Sequence, residues 1–153
     1  VTVSGDAVHE PGNFKAPFGM NQAELIEAAG GYKVDPEKII SGGPMMGFSM
    51  FTVDVPVTKT SSSILCFTKD EVAQYEPTAC INCGRCVEVC PSRLIPSRLA
   101  DYAEHHDEEA FTKHEGLECM ECGSCSYVCP AKRQLKQAIG SMRKTALANR
   151  KKK

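Results

Sequence analysis

The first 68 residues carry short runs of β-branched and aromatic residues that are broken by glycine and proline. Such runs are typical of strands joined by tight turns, and they predict a small mixed sheet. We interpret the glycine-rich segment at 42–47 as a turn, with contact to a ligand or partner as the alternative, since it lacks the phosphate-loop and dinucleotide patterns. The predicted strands cover residues 1–5, 13–18, 38–41, 53–57 and 63–67.

One helix is predicted between the second and third of these strands. Asn21 suits its N-cap, with Glu24 three positions later, and Leu25 and Ile26 begin an apolar face. The glycine pair at 30–31 then stops the helix. Together with the strands, this helix predicts an α+β unit. The same half of the chain is expected to offer neither a metal-ligand set nor a rich aromatic lining for a bound ligand.

From residue 69 onward the spacing of apolar residues becomes helical. Helices are predicted at 96–103, where Pro96 suits the first turn, and at 107–114, before Gly116. A third helix is predicted at 132–148, where apolar residues recur three or four positions apart. The fold class is therefore predicted to be α+β, with a mostly helical second half.

The formal net charge of −1 conceals two segments of opposite sign. Residues 99–131 hold eight Asp or Glu and one Lys, whereas residues 132–153 hold nine Lys or Arg and no acid. We interpret these segments as solvated helix faces, with docking of the basic end on an acidic partner or anionic lipid as the alternative. The basic segment contains no aromatic residue, which argues against nucleic-acid binding.

The chain shows no pattern of export or of membrane insertion. No apolar run approaches the roughly 20 residues that cross a bilayer. The chain begins with Val1 and has neither the charged nor the apolar region of a secretory signal. We therefore expect a soluble piece of a longer polypeptide, without a transmembrane segment.

Eight of the nine cysteines lie in two copies of one spacing, Cys-x2-Cys-x2-Cys-x3-Cys-Pro, at residues 80–91 and 119–130. Disulfides, structural zinc, redox Cys-x-x-Cys chemistry and iron–sulfur clusters all use closely spaced cysteines. Disulfides fit poorly because nothing indicates export, and zinc normally takes paired Cys-x2-Cys motifs from two separate places. The observed spacing, with proline after the fourth cysteine, is that of bacterial [4Fe–4S] ferredoxins. The two blocks therefore predict two [4Fe–4S] clusters.

In such ferredoxins the fourth cysteine of each block ligates the cluster of the other block. The ninth cysteine, Cys66, lies between apolar residues and is predicted to be a buried hydrophobe. No residue is assigned a catalytic role. The predicted ligands of the first cluster are Cys80, Cys83, Cys86 and Cys129. The predicted ligands of the second cluster are Cys119, Cys122, Cys125 and Cys90.

With its segments in this order, the chain resembles the C subunits of Rnf electron-transport complexes. The cysteine blocks occur in many redox subunits, whereas the segment IISGGPMMG at 39–47 narrows the choice to this family. The resemblance implies a small β-grasp-like domain of the SLBB type at 1–68, a dicluster ferredoxin domain at 69–149 and a basic tail at 150–153. The other matching segments are VTVSGDAV at 1–8, PGNFKAPFG at 11–19, LIEAAGG at 25–31, CINCGRCVEVCP and CMECGSCSYVCP.

The resemblance also implies the setting in which the chain works. It implies a peripheral subunit on the cytoplasmic face of the bacterial inner membrane, in a complex that couples electron transfer between ferredoxin and NAD to sodium or proton translocation. Flavin mononucleotide (FMN) and NAD(H) are expected only in an N-terminal region that this sequence lacks. The clusters would pass electrons between that flavin and the ferredoxin-like B subunit, beside the membrane subunits. In the alternative, the first domain binds a cobalamin or quinone-like ligand, and the clusters are accessory to it.

Overall fold

The computed structural model describes residues 1–151 and divides the chain into two compact units, Val1–Gln74 and Tyr75–Lys153. A mixed sheet forms the first unit and helices form the second, which confirms the predicted α+β class. The predicted basic tail at 150–153 lies partly outside the described residues. Among the residues that are described, no helix is long and apolar enough to cross a membrane.

The first unit is built on a five-stranded sheet in the order β2-β1-β5-β3-β4. Strand β1 runs parallel to β5, and the other neighbouring pairs are antiparallel. Along β5 buried and half-buried residues alternate, as expected for a strand with one face on the core. The strands are β1 Thr2–Ser4, β2 Gly12–Asn13, β3 Lys38–Ser41, β4 Phe48–Met50 and β5 Ser63–Phe67.

A single α-helix, α1 at Gln22–Ala28, packs on this sheet, as predicted. The Asn21 side chain accepts a hydrogen bond from the Ala23 N–H at 2.9 Å, so one of the free amides of the first turn is satisfied. Leu25 and Ile26 are buried in one apolar cluster with residues of β1 and β5. Cys66 is fully buried in the same cluster, which confirms its predicted place in the core.

Two predicted strands differ from those observed. No strand forms at 53–57, because this segment pairs with the chain ahead of α1: the Gln22 N–H donates to the Val55 carbonyl, and the Val57 N–H to the Met20 carbonyl. The sheet is completed instead by β4, whose residues form an antiparallel hairpin with β3. Of the strand predicted at 13–18, only Asn13 belongs to a strand, as the second residue of β2, and Pro17 farther along has no N–H for a ladder.

The described part of the second unit, residues 75–151, contains five α-helices and a short 3-10 helix at Gly116–Glu118, and three of the α-helices match the predicted ones. Pro96 occupies the first turn of α3, and the Asp107 side chain caps α4 by accepting from the Ala110 N–H at 2.9 Å. Two further helices of four residues each lie within the cysteine blocks. The helices are α2 Arg85–Glu88, α3 Pro96–Glu104, α4 Glu108–Lys113, α5 Ser124–Tyr127 and α6 Leu135–Arg150.

The helices of the second unit enclose one apolar core. Phe111 from α4 is fully buried and meets the apolar faces of α3 and α6. Cysteines from both blocks pack against this core, so the position of their thiols depends on helix packing as well as on the local loops. The core consists of Leu94, Leu99, Ala100, Ala103, Phe111, Cys125, Leu135, Ile139 and Met142.

The acidic and basic segments pair with each other in part. Arg133 donates to Asp101 at 2.8 Å and to Glu104 at 2.9 Å, and its side chain is only 12% exposed. Arg143 lies 3.4 Å from Glu121. These contacts join the residues just ahead of α6 and the middle of α6 to the acidic part of the same unit. Neither interpretation of the charge pattern anticipated this arrangement.

Gly5 provides a test of the first unit, because β1 ends there in a conformation that only glycine adopts easily. Its φ is +119°, and a Cβ atom at this position would overlap the Cys66 backbone. We expect Gly5→Ala to lower the free energy of unfolding by about 2–5 kcal/mol, from strain and overpacking together. Urea denaturation of the reconstituted protein measures this loss.

Gly43→Ala is the matched control, because its added Cβ would have no atom within 4 Å. We expect its free energy of unfolding to stay within about 0.5 kcal/mol of the parent. Equal losses in the two variants would contradict the assigned contact between Gly5 and the backbone of β5.

Candidate metal centres

The two cysteine blocks adopt the same backbone conformation at the same offsets. Asn82 and Gly84 have φ angles of 54° and 78°, and their counterparts Glu121 and Gly123 have 56° and 84°. Glycine takes this left-handed conformation without strain, which is why it suits the position directly before α2 and α5. The duplicated sequence therefore folds into a duplicated loop and short helix.

The eight cysteines of the blocks line two cavities, each with three thiols from one block and the last thiol of the other. The structure thus brings each predicted set of four together, and their binding of clusters stays a prediction. The first cavity, of about 110 Å³, is lined by Cys80, Cys83, Cys86 and Cys129. The second cavity, of about 20 Å³, is lined by Cys90, Cys119, Cys122 and Cys125.

Two hydrogen bonds join the beginning of each block to the end of the other. The Thr78 N–H, ahead of the first block, donates to the carbonyl of Ala131, just after the second, at 3.0 Å. Reciprocally, the Ser92 hydroxyl, just after the first block, donates to the carbonyl of Glu118, ahead of the second, at 3.2 Å. These two contacts hold the last cysteine of each block beside the cavity of the other, as exchanged ligation requires.

Several hydrogen bonds reach the cysteine sulfurs, and they are unevenly distributed. In the second cavity the Leu94 N–H donates to Cys90 Sγ at 3.3 Å, and the Glu121 N–H donates to Cys119 Sγ at 3.4 Å. The hydroxyl Oγ of Ser124 lies 3.5 Å from Cys122 Sγ. In the first cavity the corresponding contact is longer, with 3.8 Å between Cys80 Sγ and the side-chain oxygen of Asn82.

The cavities also differ in burial, which affects the protonation of the thiols. Cys80 in the first cavity is exposed, whereas Cys125 in the second is buried. Burial raises the pKa of the Cys125 thiol to about 11 and also raises the pKa of Cys119. The Ser124 hydroxyl lowers the pKa of the Cys122 thiol by hydrogen bonding to its sulfur. Since thiolate is the metal-binding form, the lowered pKa of Cys122 favours the form in which this thiol binds a metal.

The donor sets suit an iron–sulfur group. Thiolates are soft ligands, which favour zinc, copper(I) and iron–sulfur clusters over hard cations. Within residues 1–151, no three His, Cys, Asp or Glu side chains stand close enough together to hold a single metal ion. The thiols are instead grouped in fours around two cavities, and a set of four thiolates is the ligand set of a [4Fe–4S] cluster.

Sequence reasoning missed the polar residues that support the cysteines. Thr78 and Ser92 each donate a hydrogen bond to the backbone of the other cysteine block. Their partners are distant along the chain, so no local sequence pattern indicates these contacts. Ser124 carried a usable signal, because a serine two residues after a cysteine is placed to hydrogen-bond locally.

The first unit carries a separate groove of about 390 Å³. Phe48 and Phe51 are the aromatic residues among those that line it, and both are largely exposed, at 66% and 102% of their full accessible surface. Gln22 also lines the groove, and its buried Oε1 has no hydrogen-bond partner among the described residues. The sequence did not indicate that Phe48 lies at a groove, because the strand β4 that carries it was not predicted.

Comparison with known protein families agrees with this division of the chain. A family model described as the SLBB domain matches residues 1–49. A second, described as the 4Fe-4S dicluster domain, matches residues 79–133, which contain all eight cavity cysteines. The first match accounts for most of the sheet, and the second indicates that clusters of the 4Fe-4S type occupy such blocks.

Relatives that match across both units bear one kind of name. The chain is 42% identical over 152 residues to the C subunit of the Na(+)-translocating ferredoxin:NAD(+) oxidoreductase complex of Acetobacterium woodii, covering 99% of the chain and 34% of that protein. It is 46% identical over 99 residues to the C subunit of the proton-translocating ferredoxin:NAD(+) oxidoreductase complex of Clostridium ljungdahlii, covering 65% of the chain and 22% of that protein. It is 41% identical over 115 residues to the C subunit of the ion-translocating oxidoreductase complex of Yersinia enterocolitica, covering 74% of the chain and 16% of that protein.

The agreement extends from the first strand to the end of the second cysteine block, and the chain spans 34% of the length of the Acetobacterium relative. The order of the two domains is the one that the resemblance implied, with the SLBB match ahead of the dicluster match. Over the region that it spans, the chain therefore belongs to the family of C subunits of ion-translocating ferredoxin:NAD oxidoreductase (Rnf) complexes.

Proposed function

We propose that this chain is an electron-transfer segment of a redox complex, with one [4Fe–4S] cluster in each cysteine-lined cavity. The observation that carries the proposal is the composition of the cavities, each of which takes three thiols from one block and the fourth from the other. This is the ligand exchange of two-cluster ferredoxins. The first cluster is assigned to Cys80, Cys83, Cys86 and Cys129, and the second to Cys119, Cys122, Cys125 and Cys90.

When bound, the clusters would each accept and release one electron at a time. The residues of the chain bind, orient and shield them. Arg133 and Ser97 line the first cavity beside its thiols, and Leu94 and Ile139 close the second with apolar side chains. Water exclusion and the charge near the sulfurs are among the factors that set the potential of such a cluster.

The wider role of the chain follows from the names of its relatives and is proposed on that basis. The predicted cluster domain, 69–149, passes electrons between ferredoxin-type carriers and an NAD-linked flavin. The FMN and NAD(H) sites lie outside residues 1–153, and the partners are the ferredoxin-like B subunit and the membrane subunits of the complex. The chain works at the cytoplasmic face of the bacterial inner membrane, where this electron transfer drives ion translocation. No nucleic acid takes part.

Cluster content is the first test. After anaerobic reconstitution we expect about eight iron and eight acid-labile sulfide per chain, because two complete ligand sets are present. Low-temperature electron paramagnetic resonance (EPR) of the dithionite-reduced protein should detect two interacting clusters. Cys66→Ala should leave both contents unchanged, since Cys66 belongs to the core of the first unit. Zinc in place of iron, or a single cluster, would contradict the proposal.

Exchange of the fourth ligand is tested with pairs of cysteine variants. The Cys83→Ala, Cys129→Ala double variant should keep about four iron, because both changes strike the first cluster while the second stays complete. The Cys122→Ala, Cys129→Ala double variant should lose nearly all iron, because it strikes both clusters. Iron and sulfide per folded chain, with folding checked by circular dichroism, provide the measurement.

The two double variants are matched controls for each other, since each removes two thiols. If every block ligated its own cluster, their results would be reversed. That reversal would overturn the assignment of Cys129 to the first cluster and of Cys90 to the second.

A second candidate function concerns the groove of the first unit. We propose it as the site of the alternative role, in which this domain binds a cobalamin or quinone-like ligand and the clusters serve that ligand. Support comes from Phe48 and Phe51 at the groove and from Gln22, a lining residue whose Oε1 has no hydrogen-bond partner among the described residues. Pockets for small molecules typically combine apolar walls with a few polar groups in this way.

Titration of the reconstituted protein with cobalamin and with a soluble quinone analogue tests this role. Ligand binding predicts saturation at one equivalent and roughly tenfold weaker binding after Gln22→Met, which removes the acceptor and keeps the length of the side chain. Thr60→Ala, at the rim of the same groove, is the control. Absence of saturable binding by either ligand would exclude the alternative and leave electron transfer unaffected.

A further inference from the structure

The first residue of α5 stands beside a sulfur of the second cavity. Ser124 follows Gly123, whose φ of 84° turns the chain into the helix, and its Oγ lies 3.5 Å from Cys122 Sγ. Within the described residues, the Ser124 hydroxyl has no other hydrogen bond. We infer that Ser124 is a positioning residue for the cluster in the second cavity, an inference that rests on the proposed function. By donating a hydrogen bond to Cys122 Sγ, Ser124 raises the reduction potential of that cluster.

The direction of this hydrogen bond follows from the chemistry of ligation. A cysteine binds iron as thiolate, so Cys122 Sγ has no proton to donate once a cluster is bound. A serine hydroxyl has one proton and rotates freely about its C–O bond. The Ser124 Oγ–H is therefore the donor and the bound sulfur is the acceptor.

The effect on the potential follows from charge. Dithionite or a redox mediator supplies one electron to each cluster, and the added negative charge is shared with the ligand sulfurs. A hydrogen bond strengthens when its acceptor becomes more negative, so the Ser124 hydroxyl stabilises the reduced form more than the oxidised form. Hydrogen bonds to sulfur are among the factors by which proteins set cluster potentials.

The first cavity lacks this donor, although its block has the same backbone. Arg85 occupies the position equivalent to Ser124, directly after Gly84 and before the third cysteine. Among the described residues, the side-chain contact to a sulfur in this block is that of Asn82, 3.8 Å from Cys80 Sγ. The duplication thus supplies an internal comparison, since of the two equivalent positions 85 and 124 only the second carries a hydroxyl.

Redox titration of the reconstituted protein, followed by EPR, tests the inference. We expect Ser124→Ala to lower one of the two midpoint potentials and leave the other in place. At a fixed potential the ratio of reduced to oxidised second cluster should fall roughly threefold to tenfold, the worth of one hydrogen bond. A tenfold change corresponds to about 59 mV for a one-electron couple. Ser124→Thr, which keeps the hydroxyl, should restore the original midpoint.

Ser126→Ala is the matched control, because Ser126 lies in the same helix and its hydroxyl accepts from the Lys136 N–H at 2.9 Å instead of contacting a sulfur. It should leave both midpoints in place.

A pair of variants in the first block tests the reverse change, the addition of a hydroxyl. Arg85→Ser should have a higher midpoint potential than Arg85→Ala. The difference should appear in the midpoint of the first cluster, the one that stays in place in Ser124→Ala.

Each result bears on the inference separately from the proposed function. Full iron and sulfide content with two midpoints, neither of which moves in Ser124→Ala, would overturn the role of Ser124 and leave the two clusters standing. Equal shifts of the midpoint potential in Ser124→Ala and Ser126→Ala would mean that the shift comes from a change in the stability of α5. That result would also overturn the role of Ser124. Absence of two clusters in the parent protein would instead contradict the proposed function.

Discussion

The second unit depends on the reciprocal attachment of its two cysteine blocks. The Thr78–Ala131 and Ser92–Glu118 hydrogen bonds hold the start of each block against the end of the other. Neither cavity has four thiols without a contribution from the partner block. Cluster binding on such a framework is inseparable from folding, because a preformed ligand set does not exist in the unfolded chain. The same constraint keeps the two cavities close neighbours, which suits single-electron exchange between them.

Helix packing and charge pairing maintain this attachment. The helix α6 follows directly after the second block and packs against α3, which follows the first, so the core between them fixes both blocks. Arg133 adds an ion pair to Asp101 and Glu104 at the first cavity, and Arg143 adds one to Glu121 at the second. Ion pairs with partly exposed members are individually weak. Their value here is positional, because Arg133 just ahead of α6 and Arg143 within it are each joined to an acidic residue of the same unit.

Duplication produces similar loops without producing equal sites. Both blocks repeat their left-handed positions within a few degrees, since asparagine or glutamate and then glycine stand at the same offsets. The surroundings differ, however: the second cavity is more buried and receives more hydrogen bonds at its sulfurs than the first. Burial and hydrogen bonds to sulfur change the reduction potential of a cluster in opposite directions. Two sites with four cysteine ligands each are therefore able to have different reduction potentials.

Sequence alone determined the features that short-range spacing controls: the cysteine blocks, the capped helix α1, the helices of the second half and the buried Cys66. It also indicated the family, through segments that need no three-dimensional information. Tertiary structure decided what depends on residues distant along the chain. The segment 53–57 alternates like a strand, yet it pairs with residues 20–22, and β4 takes its place in the sheet. The hydrogen bonds between the two cysteine blocks likewise join positions that share no local sequence pattern, and so does the groove that Gln22 lines. Contacts between distant residues are selected by packing in the folded chain.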